Sequence, residues 1–201
     1  MKKTARLTLF ALIIALGHQI GGERTKAQDW DFELLDAGGR KRTAREWKDA
    51  RAVALFFINA ECPISNRYAP EINRIVAEYS AQGVAFYGVH SDPDIDPAAA
   101  LRHARDYGFD FPVLLDPAQT LAGKTGVILT PTAVILSPAG ELLYRGRIDN
   151  RYLDFGKYRA AGVKPDLRIA LDAVMAGKQV PEKHTKPVGC SLPPPAKQSA
   201  R

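Results

Sequence analysis

In "FFINAECPISNRYAPEI" (residues 56–72) an apolar, strand-like run gives way to a cysteine and a proline where a helix begins, so Cys62 stands at a strand-to-helix turn. A thiol there can serve as a nucleophile, a soft-metal ligand or half of a disulfide. The start of a helix offers unpaired N–H groups and the positive end of the helix dipole, which favour thiolate over thiol and so favour the nucleophile. The only other cysteine is Cys190, leaving one possible intrachain pairing. Closing so long a loop would stabilise the fold by about 4 kcal/mol in the chain-entropy model, so a permanent bridge is the competing use of the same two residues.

The elements that must position Cys62 follow from hydrophobic periodicity. Before it come a short strand, a turn at Gly38-Gly39, a helical turn from Thr43, and the continuous apolar run Ala52–Ile58, the pattern of a central parallel strand covered on both faces. After it, Tyr68, Ile72, Ile75, Val76 and Tyr79 form a helical stripe closed by Gly83, with a kink expected at Pro70. "VAFYGVH" predicts a second strand ending at His90, and a helix follows from Pro97 to about Tyr107. A short strand "FPVLL", a helix near 117–124 and a hairpin turning at Pro138-Ala139-Gly140 come next. A last helix buries Leu167, Ala170, Leu171 and Val174 and stops at Gly177. This order predicts an α/β sandwich whose central mixed sheet joins parallel strands to an antiparallel hairpin.

Parallel strands present their C-terminal ends at one edge, where reacting groups collect. Cys62 and His90 fall there. Pro131 begins a hairpin strand leaving that edge, and the return strand carries Arg145, Arg147 and Asp149, placed on one face by period-two alternation. Cys62, Pro131, Arg147 and Asp149 are therefore expected to converge. Arg147 could stabilise a Cys62 thiolate or pair with Asp149. His90 is expected to bond backbone, and His103 and His184 join no ligand set. The aspartates of "SDPDIDP" suit turn and cap duty rather than calcium, so no metal site is expected.

The first 27 residues show a basic start, an apolar run from Leu7 to Leu16 and small residues near Ala27, the order of a secretory signal peptide; ten apolar residues are too few to span a bilayer. Membrane contact is then transient, and the destination is periplasmic or extracellular, where a disulfide can persist. Residues 1–27 carry five Lys or Arg and one Glu; taken from 28 basic and 22 acidic residues they leave 23 and 21, a net +2. That removes the main support for a nucleic-acid partner. Residues 28–180 form the domain, and 181–201 are a proline-rich tail expected to be mostly irregular, carrying Cys190.

The motifs "CPISNRYAPEI", "YRGRIDNRYLDFGK" and "KPVGCSL", with Thr130-Pro131-Thr132 before the hairpin, resemble the thioredoxin-fold redoxins, the AhpC/TSA and TlpA-like branch, most closely exported bacterial redoxin-domain proteins. The resemblance spans about residues 28–192. It implies a thioredoxin-like three-layer sandwich and a cis peptide at Thr130-Pro131 beside Cys62, shaping a groove for a thiol or disulfide substrate. Three departures narrow the chemistry. Ser65 stands where a thioredoxin-type site has its second cysteine; Leu55 and Asn59 replace the proline and threonine of a peroxiredoxin site; and Ile58 removes the Cys-x-x-x-Cys pair of SCO-type copper chaperones. Cys190 remains as the candidate resolving thiol.

The expectation is an exported thiol-disulfide oxidoreductase with weak peroxide reduction. Cys62 is the nucleophile, Cys190 the resolving partner, Pro131 the shaper of the groove, and Thr130 and Arg147 contact substrate or stabilise the thiolate. Its partners are protein thiols and disulfides or small peroxides, and a thiol electron donor. No organic cofactor is needed, because electrons pass through sulfur. The alternative is a noncatalytic binding or copper-handling module with a structural Cys62–Cys190 bridge.

Overall fold

No side chain in Ala52–Ile58 can use water, so both faces of that strand must be covered. The computed structural model, which describes residue 30 and residues 32–195, covers both. The described chain opens with a hairpin of β1 (Glu33–Leu35) and β2 (Lys41–Thr43), then a 3-10 turn and β3 (Ala52–Ile58). α1 (Pro63–Tyr79), β4 (Val84–His90), α2 (Pro97–Asp106), β5 (Val113–Leu115) and α3 (Thr120–Thr125) follow. β6 (Leu129–Thr130) and β7 (Thr132–Leu136) flank Pro131, and β8 (Leu142–Gly146) returns. β9 (Tyr152–Asp154), β10 (Lys157–Tyr158), α4 (Asp166–Met175) and β11 (Cys190–Ser191) complete the order.

The main sheet has five strands in the order β5-β4-β3-β7-β8, with β3, β4 and β5 parallel and β7 and β8 antiparallel. Alternation along β3 makes two cores. Ala52, Ala54, Phe56 and Ile58 pack with Ile72, Ile75, Leu167 and Leu171 of α1 and α4. Val53, Leu55 and Phe57 pack on the other side with Trp30, Trp47, Leu121 and Val127. This is the thioredoxin-like three-layer sandwich expected from the sequence. α1 is one continuous helix containing Pro70, which has no N–H to give the Asn66 carbonyl. The leader, with His18, lies outside the described residues.

The tail has little regular structure, as expected, and it is docked along the hairpin. The Arg145 N–H donates to the Lys183 carbonyl (2.9 Å), and the Thr185 N–H to the Arg145 carbonyl (3.2 Å). β11 pairs antiparallel with β6, Cys190 opposite Thr130 and Ser191 opposite Leu129. Beyond it the Leu192 N–H donates to Ile128 (3.0 Å), and the Gln119 amide to the Pro193 carbonyl (2.6 Å). Two glycines permit the approach. A Cβ on Gly146 would lie 2.8 Å from the Thr185 carbonyl oxygen, and one on Gly189 only 1.9 Å from that of Thr130.

Gly189→Ala is therefore expected to cost about 1–3 kcal/mol and loosen the tail, read by urea unfolding and by faster tryptic cleavage after Lys183. Gly123→Ala in α3 is the control, because nothing lies within 4 Å of its added Cβ. It should be neutral or stabilise by up to about 1 kcal/mol. Wild-type cleavage and stability in Gly189→Ala would refute the close docking.

Candidate active site

Cys62 is the N-cap of α1, in an extended conformation (φ −89°, ψ 109°) with Pro63 in the first turn. The turn from β3 is tied by polar groups. The Cys62 N–H donates to the Asn59 carbonyl (3.2 Å), the Glu61 N–H to Asn59 Oδ1 (2.7 Å), and the Asn59 N–H to Ser65 Oγ (3.2 Å). Ser65 and Asn59, two departures from the family patterns, thus hold the loop that delivers the sulfur. Cys62 itself is 1% exposed and belongs to the apolar core.

The thiol of Cys62 donates to the Thr130 carbonyl at 3.4 Å, and the Thr130-Pro131 peptide is cis, as the resemblance implied. The pairing of β11 with β6 brings Cys190 to the same place. Both cysteines are free thiols, Cys62 buried and Cys190 half-buried. Burial, then the neighbouring Cys62 sulfur and the charge it can carry, push the Cys190 pKa up to about 12, so Cys190 keeps its proton. Thr130 contributes an acceptor oxygen, which suits the S–H of Cys62.

Cys62, Thr130, Pro131 and Cys190 are thus brought together. Arg147 is not in that group, because its guanidinium is engaged with Asp166 at 2.6 Å. Nor does it pair with Asp149, which takes Arg151 at 2.6 Å and the Tyr68 hydroxyl at 2.7 Å. β8 contains Arg145 but ends at Gly146, so the alternation that aligned Arg147 and Asp149 with it does not reach those two. Arg147 instead helps line a cleft of about 460 Å³ that reaches Gly189.

A histidine pair absent from the sequence expectation supports the first turn of α1. His90 Nε2 lies 3.1 Å from His103 Nδ1, and His103 Nε2 lies 2.9 Å from Asn66 Oδ1. The Asn66 amide nitrogen donates to the Ala60 carbonyl at 2.8 Å, so its oxygen faces His103. This assigns the proton of His103 to Nε2 and that of His90 to Nε2, and leaves the buried His90 Nδ1 without a partner. His90 bonds a side chain rather than backbone. Nothing in the spacing announced the pair; the one available signal was that a strand end and the buried face of the next helix adjoin. Asp96, in "SDPDIDP", caps α2 by accepting from the Ala99 N–H at 2.8 Å, as expected. Among the described residues no group of three or more His, Cys, Asp or Glu could hold a metal ion.

Known proteins add a context. A family model described as the AhpC/TSA family matches residues 25–145. The chain is 27% identical over 148 residues to the thiol-disulfide oxidoreductase ResA of Halalkalibacterium halodurans, covering 69% of this chain and 82% of that one. It is 26% identical over 156 residues to ResA of Bacillus subtilis, covering 71% and 86%. The ResA proteins of two further Bacillus species match over 113 residues, so the chain spans 64% of their length. Among solved structures, a hypothetical protein from Sinorhizobium meliloti 1021 superposes with a TM-score of 0.73 at 30% identity, covering 84% of this chain and 92% of that one. An uncharacterized conserved protein from Geobacillus kaustophilus gives 0.70 at 29%, covering 84% and 90%. Cys190 lies beyond the matched family region.

The histidine pair makes stability depend on pH. Burial, with His103 adding, pushes the His90 pKa from 6.5 down to about 3. The unfolded chain takes up that proton near 6.5 while the fold refuses it, so the His90 contribution is complete above that pH and is lost as pH falls towards 3, by about 1.4 kcal/mol per unit. Urea unfolding between about pH 7 and 5 should show this slope, and His90→Gln should flatten it by about one proton. An unchanged acid slope in the variant would remove His90 as its cause.

Proposed function

The chain belongs to the AhpC/TSA family, and on that premise we propose that it is a thiol-disulfide oxidoreductase whose redox pair is Cys62 and Cys190. The observation that carries this reading is the meeting of the two free thiols at the cis-proline segment, where the Cys62 thiol donates to the Thr130 carbonyl and β11 sets Cys190 opposite Thr130. A thioredoxin-type site needs two sulfurs close enough to exchange one bond. Here Ser65 denies the local pair, and the docked tail supplies the second sulfur from far along the chain. A substrate dithiol gives two electrons and two protons to the disulfide form, and a substrate disulfide takes them from the dithiol form.

Peroxide reduction is a second, slower use of the same pair. A Cys62 thiolate attacking a peroxide becomes a sulfenic acid and releases water or an alcohol. The Cys190 thiol then condenses with it, giving a disulfide and water. Leu55 and Asn59 stand where a peroxiredoxin site has its proline and threonine, so this rate should be low. The partners are protein thiols and disulfides, with a thiol donor or acceptor to reset the pair. The leader supports export to an oxidising compartment, periplasmic or extracellular.

Reduction of insulin disulfides by dithiothreitol should be accelerated by wild type and fall by about 100-fold or more in Cys62→Ser and in Cys190→Ser. Mild oxidation should join the peptides carrying Cys62 and Cys190. If both thiols remain alkylatable after oxidation, or if both variants keep wild-type turnover, the pair is not the redox centre.

A further inference from the structure

Cys62 is 1% exposed, beneath the Thr130-Pro131 segment and the Gly189-Cys190 stretch, whereas Cys190 is half-buried. Gly189 packs onto the Thr130 carbonyl, so the cover over Cys62 is close. A cleft of about 460 Å³, lined by Val188, Gly189 and the exposed Leu153 and Phe155, ends at the residue before Cys190. Of the two cysteines, the one on the tail is the more exposed to a thiol from solvent.

Resting on the reading of Cys62 and Cys190 as the redox pair, we propose that the disulfide form is attacked at Cys190: substrate thiols enter there, and Cys62 is the leaving group. A substrate thiolate forms a bond to Cys190 Sγ as the Cys62–Cys190 bond breaks. The electron pair of that bond leaves on Cys62, and the mixed disulfide stands on Cys190. A second substrate thiolate then attacks the substrate sulfur of that mixed disulfide. The substrate leaves oxidised by two electrons, and Cys190 is released and takes a proton. In reverse, Cys190 attacks a substrate disulfide and its proton goes to the departing substrate sulfur; Cys62, as a thiolate, then attacks Cys190 Sγ, forming the Cys62–Cys190 bond and releasing the second substrate thiolate.

Two physical factors choose this order. Exchange requires access to the attacked sulfur, and Cys190 is half-buried where Cys62 is 1% exposed. It is also faster when the departing sulfur bears charge well. Charge left on Cys62 sits at the N-cap of the 17-residue α1, with the unpaired N–H groups of its first turn ahead of it. Charge left on Cys190 would sit in a short strand whose surroundings hold its proton in place.

The test uses the wild-type full chain. Protein oxidised with diamide is mixed briefly with reduced glutathione, quenched in acid, alkylated with N-ethylmaleimide and mapped by mass spectrometry. Glutathione should be found on Cys190 and the maleimide on Cys62, with at least about tenfold preference. Glutathione mainly on Cys62, or shared equally, overturns the inference while leaving the redox pair intact. If oxidation forms no Cys62–Cys190 disulfide, the proposed pair itself fails, and this inference with it.

Discussion

The return of Cys190 to Cys62 rests on a two-residue antiparallel pairing, β11 on β6, between residues 60 apart in the chain. Two paired residues are too few to hold a tail alone: each hydrogen bond nets about 1 kcal/mol, and each ordered residue costs about as much or more in lost freedom. The neighbours make up the difference. Thr185 is buried against Tyr144, their hydroxyl oxygens 2.7 Å apart, and its hydroxyl oxygen also accepts from the Arg147 N–H at 3.0 Å. Gly146 and Gly189 let backbone meet backbone without side chains between them. The dithiol exists because of this close approach, and any side chain added at Gly189 would act on the site through it.

The other half of the constraint is the loop before α1. Cys62 sits among apolar neighbours, so the groups that aim it are the polar ones around them. Asn59 and Ser65 close the turn, and Asn66 links it through His103 to His90 at the end of β4. One turn further along α1, Tyr68 donates to Asp149, whose other partner is Arg151. These networks run from the first two turns of α1 to the strand end and the segment after β8. A buried polar network holds one geometry well when satisfied, and here the single unsatisfied atom is His90 Nδ1 within these networks.

What was legible in the sequence was what periodicity encodes. β3 and β4 fall on the residues that the apolar runs named, and Cys62 falls at the start of α1, because buried strands and amphipathic helices leave regular patterns. The cis bond at Pro131 was reached by resemblance, since nothing in the local residues distinguishes it from an ordinary X-Pro bond. What stayed hidden was pairing between distant segments. Arg147 finds Asp166 and His90 finds His103, partners on other elements that no spacing marks. The tail reads as irregular because β11 has two residues, and its docking is written in Gly146, Thr185 and Gly189 rather than in any repeat.

In the proposed redox pair, docking and oxidation are linked by thermodynamic necessity. In an unfolded chain the two sulfurs meet only by closing a loop of more than half the sequence; in this fold β11 has already closed it. Every contact that favours the docked tail raises the effective concentration of Cys190 at Cys62, and so favours the disulfide. The disulfide, once formed, favours the docked tail by the same amount. Each 1.4 kcal/mol of docking free energy that is absent from the open dithiol state corresponds to about 30 mV in a two-electron potential. The glycines and Thr185 therefore act on the redox poise of the pair as well as on its geometry. A tail held by a few bonds on either side of Cys190 is a means of setting that poise without altering either sulfur.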